Sequence, residues 1–325
     1  MNLAKIADRT NNSVNYIRDQ QGILIIGNGF DRDLGRDITF EEFYESKHWP
    51  DKNTECPLCA FLNDALKSEF WYDLEKALSE YVDVNSINLH RVTDKDYNFY
   101  LKIIEGFEKY AASKSITTLE DIRMAKGRQC KKVPFAYLVF ETILLHKLYH
   151  IFSFNYTDLH ILADLVYENN QIEKRKRIAL SNKMEYIHGS LENKDIIIGA
   201  KDSQTAPGLE LMRKTNRLRN TKIVDRLKTA NQVVFFGHSL SEVDRCYFDA
   251  FFENIKNGIS TCRSVIIITR DEKSKFDIQN NLQEFYKIDW HCSQVEYFTI
   301  EDYKKQVRKD QHLPILEKID HLSLI

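Results

Sequence analysis

Residues 22–29 read Gly-Ile-Leu-Ile-Ile-Gly-Asn-Gly. A short apolar run with no polar residue inside it suits a strand buried on both faces of a parallel sheet. The glycines that end it permit a tight turn and a close backbone approach. They stand out because the chain holds only 11 Gly and 5 Pro among 325 residues, both below average usage. Collagen-like, low-complexity and turn-rich all-β architectures are disfavoured on that ground.

Later segments repeat the strand pattern at 151–154, 184–187, 195–198, 232–236, 264–269 and 295–298. Helical periodicity lies between several of them, at 158–169, 209–230 and 244–256. Strands alternating with helices predict an α/β, Rossmann-like, doubly wound and mainly parallel sheet. Residues 41–150 carry almost no strand signal, and 58–82 and 97–112 show apolar residues at helical spacing. Residues 137–152 read as a buried helix because charged and imidazole side chains interrupt the apolar run. The predicted organisation is a Rossmann-type domain of residues 1–44 and 148–325, with a helical insertion of residues 45–147 packed on it.

Lys plus Arg number 46 and Asp plus Glu 48, a net charge of -2. That balance gives no global electrostatic case for nucleic acid or an anionic membrane. No run approaches the ~20 apolar residues of a membrane span, and residues 1–21 are polar, unlike a secretory signal. A cytoplasmic protein with its six cysteines reduced is expected.

Ligands of open parallel sheets bind beyond the carboxyl ends of strands, so the residues that follow each strand are the site candidates. Gly27-Asn28-Gly29-Phe30-Asp31 follows the first strand and offers backbone N–H groups to a phosphate. Position 32 is Arg and the next glycine is Gly35, so the ordinary dehydrogenase fingerprint is absent. Asn155 follows the second strand, and Thr157 or Asp158 would cap the helix after it. His188 follows the third, beside Gly189. An imidazole titrates near neutral pH, which suits a general base or a partner for a ribose hydroxyl. Gly237 and Ser239 close a further strand as possible phosphate or ribose donors. Asp244 would accept from a ribose hydroxyl or cap the helix that follows.

Gly27-Asn-Gly-Phe-Asp31, Trp71-Tyr-Asp-Leu-Glu75, Phe154-Asn-Tyr-Thr157, His188-Gly189 and Gly237-His-Ser-Leu240 with Asp244, in this order, resemble the abortive-infection AbiH family of bacterial anti-phage proteins. That family is similar in turn to the sirtuin-like NAD-binding fold. Gly27, Gly29 and Gly35 keep the spacing of the sirtuin glycine turn, and Asn155, His188-Gly189 and Gly237-His-Ser-Leu240 are similar to later sirtuin motifs. Asp31 stands where sirtuins have Ser, and the Pro-Asp-Phe-Arg stretch is missing. Sirtuin deacylases carry two cysteine pairs for structural zinc, whereas this chain has Cys56-Pro-Leu-Cys59 alone. No metal is therefore expected, with His48 and His90 the weak candidates to complete a zinc site.

The resemblance implies an anti-phage effector that hydrolyses NAD at the nicotinamide–ribose bond. It places Asn155, His188 and Asp31 in catalysis. Gly27, Asn28, Gly29, Phe30, Gly35, Gly237, Ser239 and Asp244 would bind the nucleotide. Trp71 and Glu75 would reach the pocket or simply pack. Implied partners are the nucleotide, a second copy of the chain and a phage-derived trigger. The alternatives are a non-catalytic NAD or ADP-ribose sensor and a nucleic-acid effector using the basic runs 174–177 and 213–228. The second is disfavoured because no carboxylate cluster suits nuclease metals. His146 and His150, four apart, read as packing or surface on a shared helix face.

Overall fold

The computed structural model describes residues 21–67, 74–87, 93–124, 133–145, 149–172, 183–200, 212, 222–308 and 314–320. Strands β1 (Gln21–Ile26), β2 (Tyr149–Ser153), β3 (Met184–Tyr186), β4 (Ala230–Phe236), β5 (Ser264–Thr269) and β6 (Val295–Thr299) form one sheet in the order β3-β2-β1-β4-β5-β6. Every neighbouring pair is parallel. This is the α/β, Rossmann-like arrangement the alternating pattern predicts. The apolar runs of β1, β4 and β5 are buried on both faces, with Ile23 to Ile26 fully enclosed.

Helices cover both faces. On one side α7 (Phe135–Leu145) and α8 (Leu159–Asn169) pack with Leu24, Ile26, Val234 and Phe236. On the other, α9 (Ile223–Thr229), α10 (Arg245–Lys256) and α11 (Glu272–Tyr286) pack with Ile23, Ile25, Val233 and Phe235. The chain ends in α12 (Ile300–Arg308) and α13 (Pro314–Asp320) among the described residues. The strand order runs outward from β1 to β3 and then returns across β1 to β4. That reversal opens a crevice between the carboxyl ends of β1 and β4.

Every element described between β1 and β2 is helical: α1 (Asn28–Asp33), α2 (Phe40–Glu45), α3 (Pro57–Lys67), α4 (Leu74–Ile87), α5 (Asp94–Ser113), α6 (Leu119–Met124) and α7. A separate core joins α2 to α5 through Phe43, Trp49, Leu62, Leu78, Phe99 and Phe107. Thr93 and Asp96 form a capping box that starts α5. This helical layer ends its own core near Ala111, whereas α7 belongs to the core under the sheet.

The predicted strand at 195–198 is absent. Ile196 and Ile198 are buried in the helical layer's core instead. Their segment's carbonyls are met by side chains, with Tyr100 Oη donating to Ile198 O at 2.5 Å and Tyr156 Oη to Ile197 O at 3.3 Å. The isoleucine run reports burial, not strand pairing. The predicted buried helix over 137–152 stops at Leu145, and His150 lies in β2 rather than on a helix face with residue 146. Burial, with the cations Arg226, Lys183 and Lys222, pushes the His150 imidazole down to about 4. The predicted helix over 58–82 is two helices, α3 and α4. Of the predicted helix 209–230, only the part in α9 and residues 212, 222 and 230 are described; the basic run 174–177, residues 213–221, Trp71, His90, Cys130 and His146 lie outside the described residues. No helix among the described residues is long and apolar enough to cross a membrane.

Candidate functional site

Gly27 is extended at the start of α1, with φ −121° and ψ −178°. Its N–H donates to Phe236 O at 2.9 Å, and the Gly29 N–H donates to Gly237 O at 3.0 Å. The β1 and β4 loops touch with no side chain between them. A Cβ on Gly29 would sit 2.7 Å from Gly237 Cα, and one on Gly27 2.5 Å from His238 Cα. Gly237 is left-handed, at φ +63°. These glycines therefore close a backbone seam across the crevice. Within 27–29, the N–H of Asn28 has no partner among the described residues.

Asn155, at the end of β2, reaches into the same turn. Its Nδ2 donates to Gly27 O at 2.9 Å. Asp31 on α1 is 2% exposed. One of its oxygens accepts from the Thr157 hydroxyl. Arg36 Nη1 donates to Thr157 Oγ1 at 2.8 Å, and Nη2 donates to Ala111 O at 2.9 Å. Burial pushes the Asp31 carboxyl up to about 6 and outweighs the Thr157 hydroxyl, the Arg36 cation and the Asn155 amide, which all favour its ionised form. The Arg36 guanidinium is pushed below its usual range by burial.

His188 and His238 lie across the crevice and share one carboxylate. His188 Nε2 is 3.2 Å from Asp244 Oδ1, and His238 Nε2 is 3.5 Å from Asp244 Oδ2. The Leu240 N–H donates to His238 Nδ1 at 3.0 Å. That nitrogen must therefore be unprotonated, and Nε2 carries the hydrogen that faces Asp244. Asp244 stands at the start of α10 but makes no side-chain cap hydrogen bond there. Phe154 packs edge-on against both imidazoles, with ring centroids 5.0 Å and 4.5 Å away. Gly189 is left-handed at φ +76°, and a Cβ there would meet Asp195 O at 2.0 Å. The chain after His188 folds back on that glycine, and Ser190 N–H donates to Asp195 Oδ1 at 2.7 Å.

Gly27, Asn28, Asp31, Asn155, His188, Gly237, Ser239 and Asp244 all line one cavity of about 510 Å³. Ile38, Phe40, Glu75 and Phe107 of the helical layer form its far wall. A second cavity of about 470 Å³ lies beside β5, lined by Gly29, Arg32, Thr269, Arg270, Ser274 and Lys304. Asn28, Arg32, Gly237, His238 and Ser239 border both. Phe30 and Gly35 line neither. Phe30 is fully buried against Phe140 and Phe236. Gly35 is left-handed at φ +74° and faces Thr117.

The sequence alone assigns no site role to three residues of the arrangement. His238 sat inside the Gly-His-Ser-Leu segment, and its place two residues after a strand was the available signal. Of the two cap candidates, Thr157 and Asp158, it is Asp158 that caps α8, accepting from His160 N–H at 2.8 Å, which leaves Thr157 to bond Asp31 and Arg36. Arg36 has no sequence signal, because an arginine in a polar stretch reads as surface. The Cys56 and Cys59 thiols are free and buried, and burial pushes both above the usual thiol range. Asp158, His160 and Glu192 bring ligand-type atoms within 4.8 Å of one another at the surface.

The family model described as Bacteriophage abortive infection AbiH matches residues 23–267. No curated protein matches the chain. The matched span contains every residue that lines the larger cavity. It covers well over half of the sequence, and the chain belongs to the bacteriophage abortive infection AbiH family.

Proposed function

We propose that this abortive-infection protein binds NAD across the β1/β4 crevice and hydrolyses its nicotinamide–ribose bond. The observation that carries the reading is the pair of adjoining cavities on the two sides of the strand-order reversal, bordered in common by Asn28, Gly237, His238 and Ser239. Dinucleotides span such a reversal in doubly wound sheets. The sirtuin-like spacing of Gly27, Gly29 and Gly35 supports the same reading.

The reaction takes NAD and water to ADP-ribose, nicotinamide and a proton. Its transition state carries positive charge on the ribose. Asn155 accepts a hydrogen bond from the attacking water or a ribose hydroxyl. His188, held at Nε2 by Asp244, keeps Nδ1 as its basic nitrogen and takes the proton. Asp31, 2% exposed, offers negative charge in a low-dielectric wall. The Gly27 and Gly29 N–H groups are engaged by β4. The pyrophosphate is therefore assigned to the Asn28 N–H, Ser239 and the flanking Arg32.

The test is to incubate purified protein with NAD and follow nicotinamide and ADP-ribose. His188→Ala and Asn155→Ala should each lower turnover by roughly 10²–10⁴-fold with folding intact. Full turnover in both variants would sink the catalytic assignment. Ligand-dependent thermal stabilisation without turnover, in the presence of phage-infected cell extract as trigger, would identify a sensor instead.

A further inference from the structure

Asp158 and His160 stand at the start of α8, and Glu192 lies in the loop that follows β3 and His188. One ligand-type atom from each lies within 4.8 Å of the other two. The local chain sets all three. Asp158 caps α8 through Oδ1, which accepts the His160 N–H at 2.8 Å and lies 3.5 Å from the Tyr186 hydroxyl. That bond fixes the spacing of Asp158 and His160. It leaves Asp158 Oδ2 with no hydrogen-bond partner among the described residues. Glu192 sits in a turn where Asn193 N–H donates to Ser190 Oγ at 3.2 Å and Ser190 N–H to Asp195 Oδ1 at 2.7 Å. The two segments also bond each other directly, with Leu191 N–H donating to Tyr156 O at 3.3 Å.

The cluster has no charge balance of its own. Two carboxylates converge, and like charges at short range repel. Neither forms a salt bridge with any described residue. Arg36 acts on Asp158 through space, but its guanidinium is bonded to Thr157 Oγ1 and Ala111 O. The His160 imidazole has no hydrogen-bond partner among the described residues. Its ring stands tilted to Tyr186, with centroids 6.5 Å apart. A cation at the centre would occupy an imidazole nitrogen and offset both negative charges at once.

One nitrogen and two oxygen donors suit a divalent transition ion, whereas calcium and magnesium prefer oxygen alone. Zinc accepts three protein ligands and a water at bond lengths of about 2 Å, which puts its ligand atoms about 3.3 Å apart. The three side chains therefore need to close by no more than about 1.5 Å. Asp158 and His160 are half-buried and Glu192 is exposed, so the side chains have room to close and solvent can deliver the ion.

We infer that Asp158, His160 and Glu192 bind a divalent transition-metal ion, with zinc as the reference, and that the ion staples the Tyr156–Asp158 turn to the loop after His188. None of the three lines either cavity, so the site stands independently of the NAD reading. It is also separate from Cys56 and Cys59.

The experiment takes the full chain, strips it with a chelator and titrates it with Co²⁺ and then Zn²⁺. Co²⁺ should bind with visible ligand-field absorption, and Zn²⁺ should displace it. A near-ultraviolet thiolate-to-metal band would place the ion on cysteines and overturn the site. His160→Ala and Glu192→Gln replace side chains that are not buried and should keep the wild-type circular dichroism spectrum. Each should bind Zn²⁺ at least ~100-fold more weakly, the upper end of the loss from removing an outer-shell partner. Wild-type affinity in either variant would overturn the ligand set. Hydrogen exchange reads the staple. With free Zn²⁺ at ~100 times its Kd, the Leu159, His160 and Leu191 amides should slow by up to ~100-fold in the wild type and not in the variants. Zinc binding without that slowing would overturn the staple.

Discussion

Glycine positions in this chain mark two different physical needs. As sequence, Gly27 to Gly29 reads as a backbone that would meet a phosphate. In the fold, Gly27, Gly29 and Gly237 press two loops together, at separations a Cβ could not share. Gly29→Ala should therefore destabilise by about 1–3 kcal/mol through overpacking against backbone that cannot yield. Gly258→Ala is the matched control, because nothing lies within 4 Å of its would-be Cβ and only its φ of +68° opposes the change. Urea unfolding of the two variants checks this, and equal losses would mean that the seam is not tight. Asp31 gives a second prediction at this scale. Its carboxyl titrates near about 6 when folded against 3.8 ordinarily. The folded state thus holds a proton that the unfolded chain releases between those values. The contribution is fully present below 3.8 and is lost as pH rises through about 6, by roughly 3 kcal/mol in all. Asp31→Asn, uncharged throughout, should show a flatter stability profile from pH 4 to pH 7. Under the catalytic reading, wild-type kcat/KM should also fall on the acid side near the same pH.

At the level of elements, the strands that the sequence made legible are those with an unbroken β-branched or aromatic run: β1, β4 and β5 lie within a residue or two of their predicted bounds. Such runs are legible because burial on both faces leaves no polar position to confuse the pattern. Residues 195–198 have the same composition and the opposite fate. Three consecutive isoleucines report burial and say nothing of what satisfies the backbone. Here Tyr100 and Tyr156 do so, from elements nearly 100 and about 40 positions away in the chain. Tyr100 is fully buried. Tyr100→Phe should cost about 1–3 kcal/mol by orphaning the Ile198 carbonyl. A ΔG of unfolding unchanged by that substitution would show that water reaches the carbonyl. The site was legible to the same degree. Strand ends pointed to Asn155, His188 and Asp244, while the Arg36–Thr157–Asp31 link joins residues about 120 positions apart and leaves no local trace.

On the scale of the whole molecule, the crevice lies where three separately packed cores meet. The cores on the two sheet faces supply the strand ends, and the helical layer supplies Ile38, Phe40 and Phe107 as the far wall. Arg36 ties that layer to the sheet through Ala111 and Thr157. A ligand filling only the larger cavity would tighten β1, β3 and the helical layer. One long enough to enter the second cavity would also reach Arg270 and Ser274 beyond β5. Hydrogen exchange can separate the two. Under the NAD reading, ADP-ribose at ~100 times its Kd adds about 2.7 kcal/mol to every opening that releases it. The slowed amides should then include the β1–α1 turn, the β3 end beside His188 and the first turn of α11. Ribose 5-phosphate, which has the sugar and one phosphate but no adenosine, should protect no more than one of those sides. Protection by ADP-ribose restricted to a single side would show that the two cavities do not share a ligand, and the dinucleotide assignment would have to give way to a mononucleotide one.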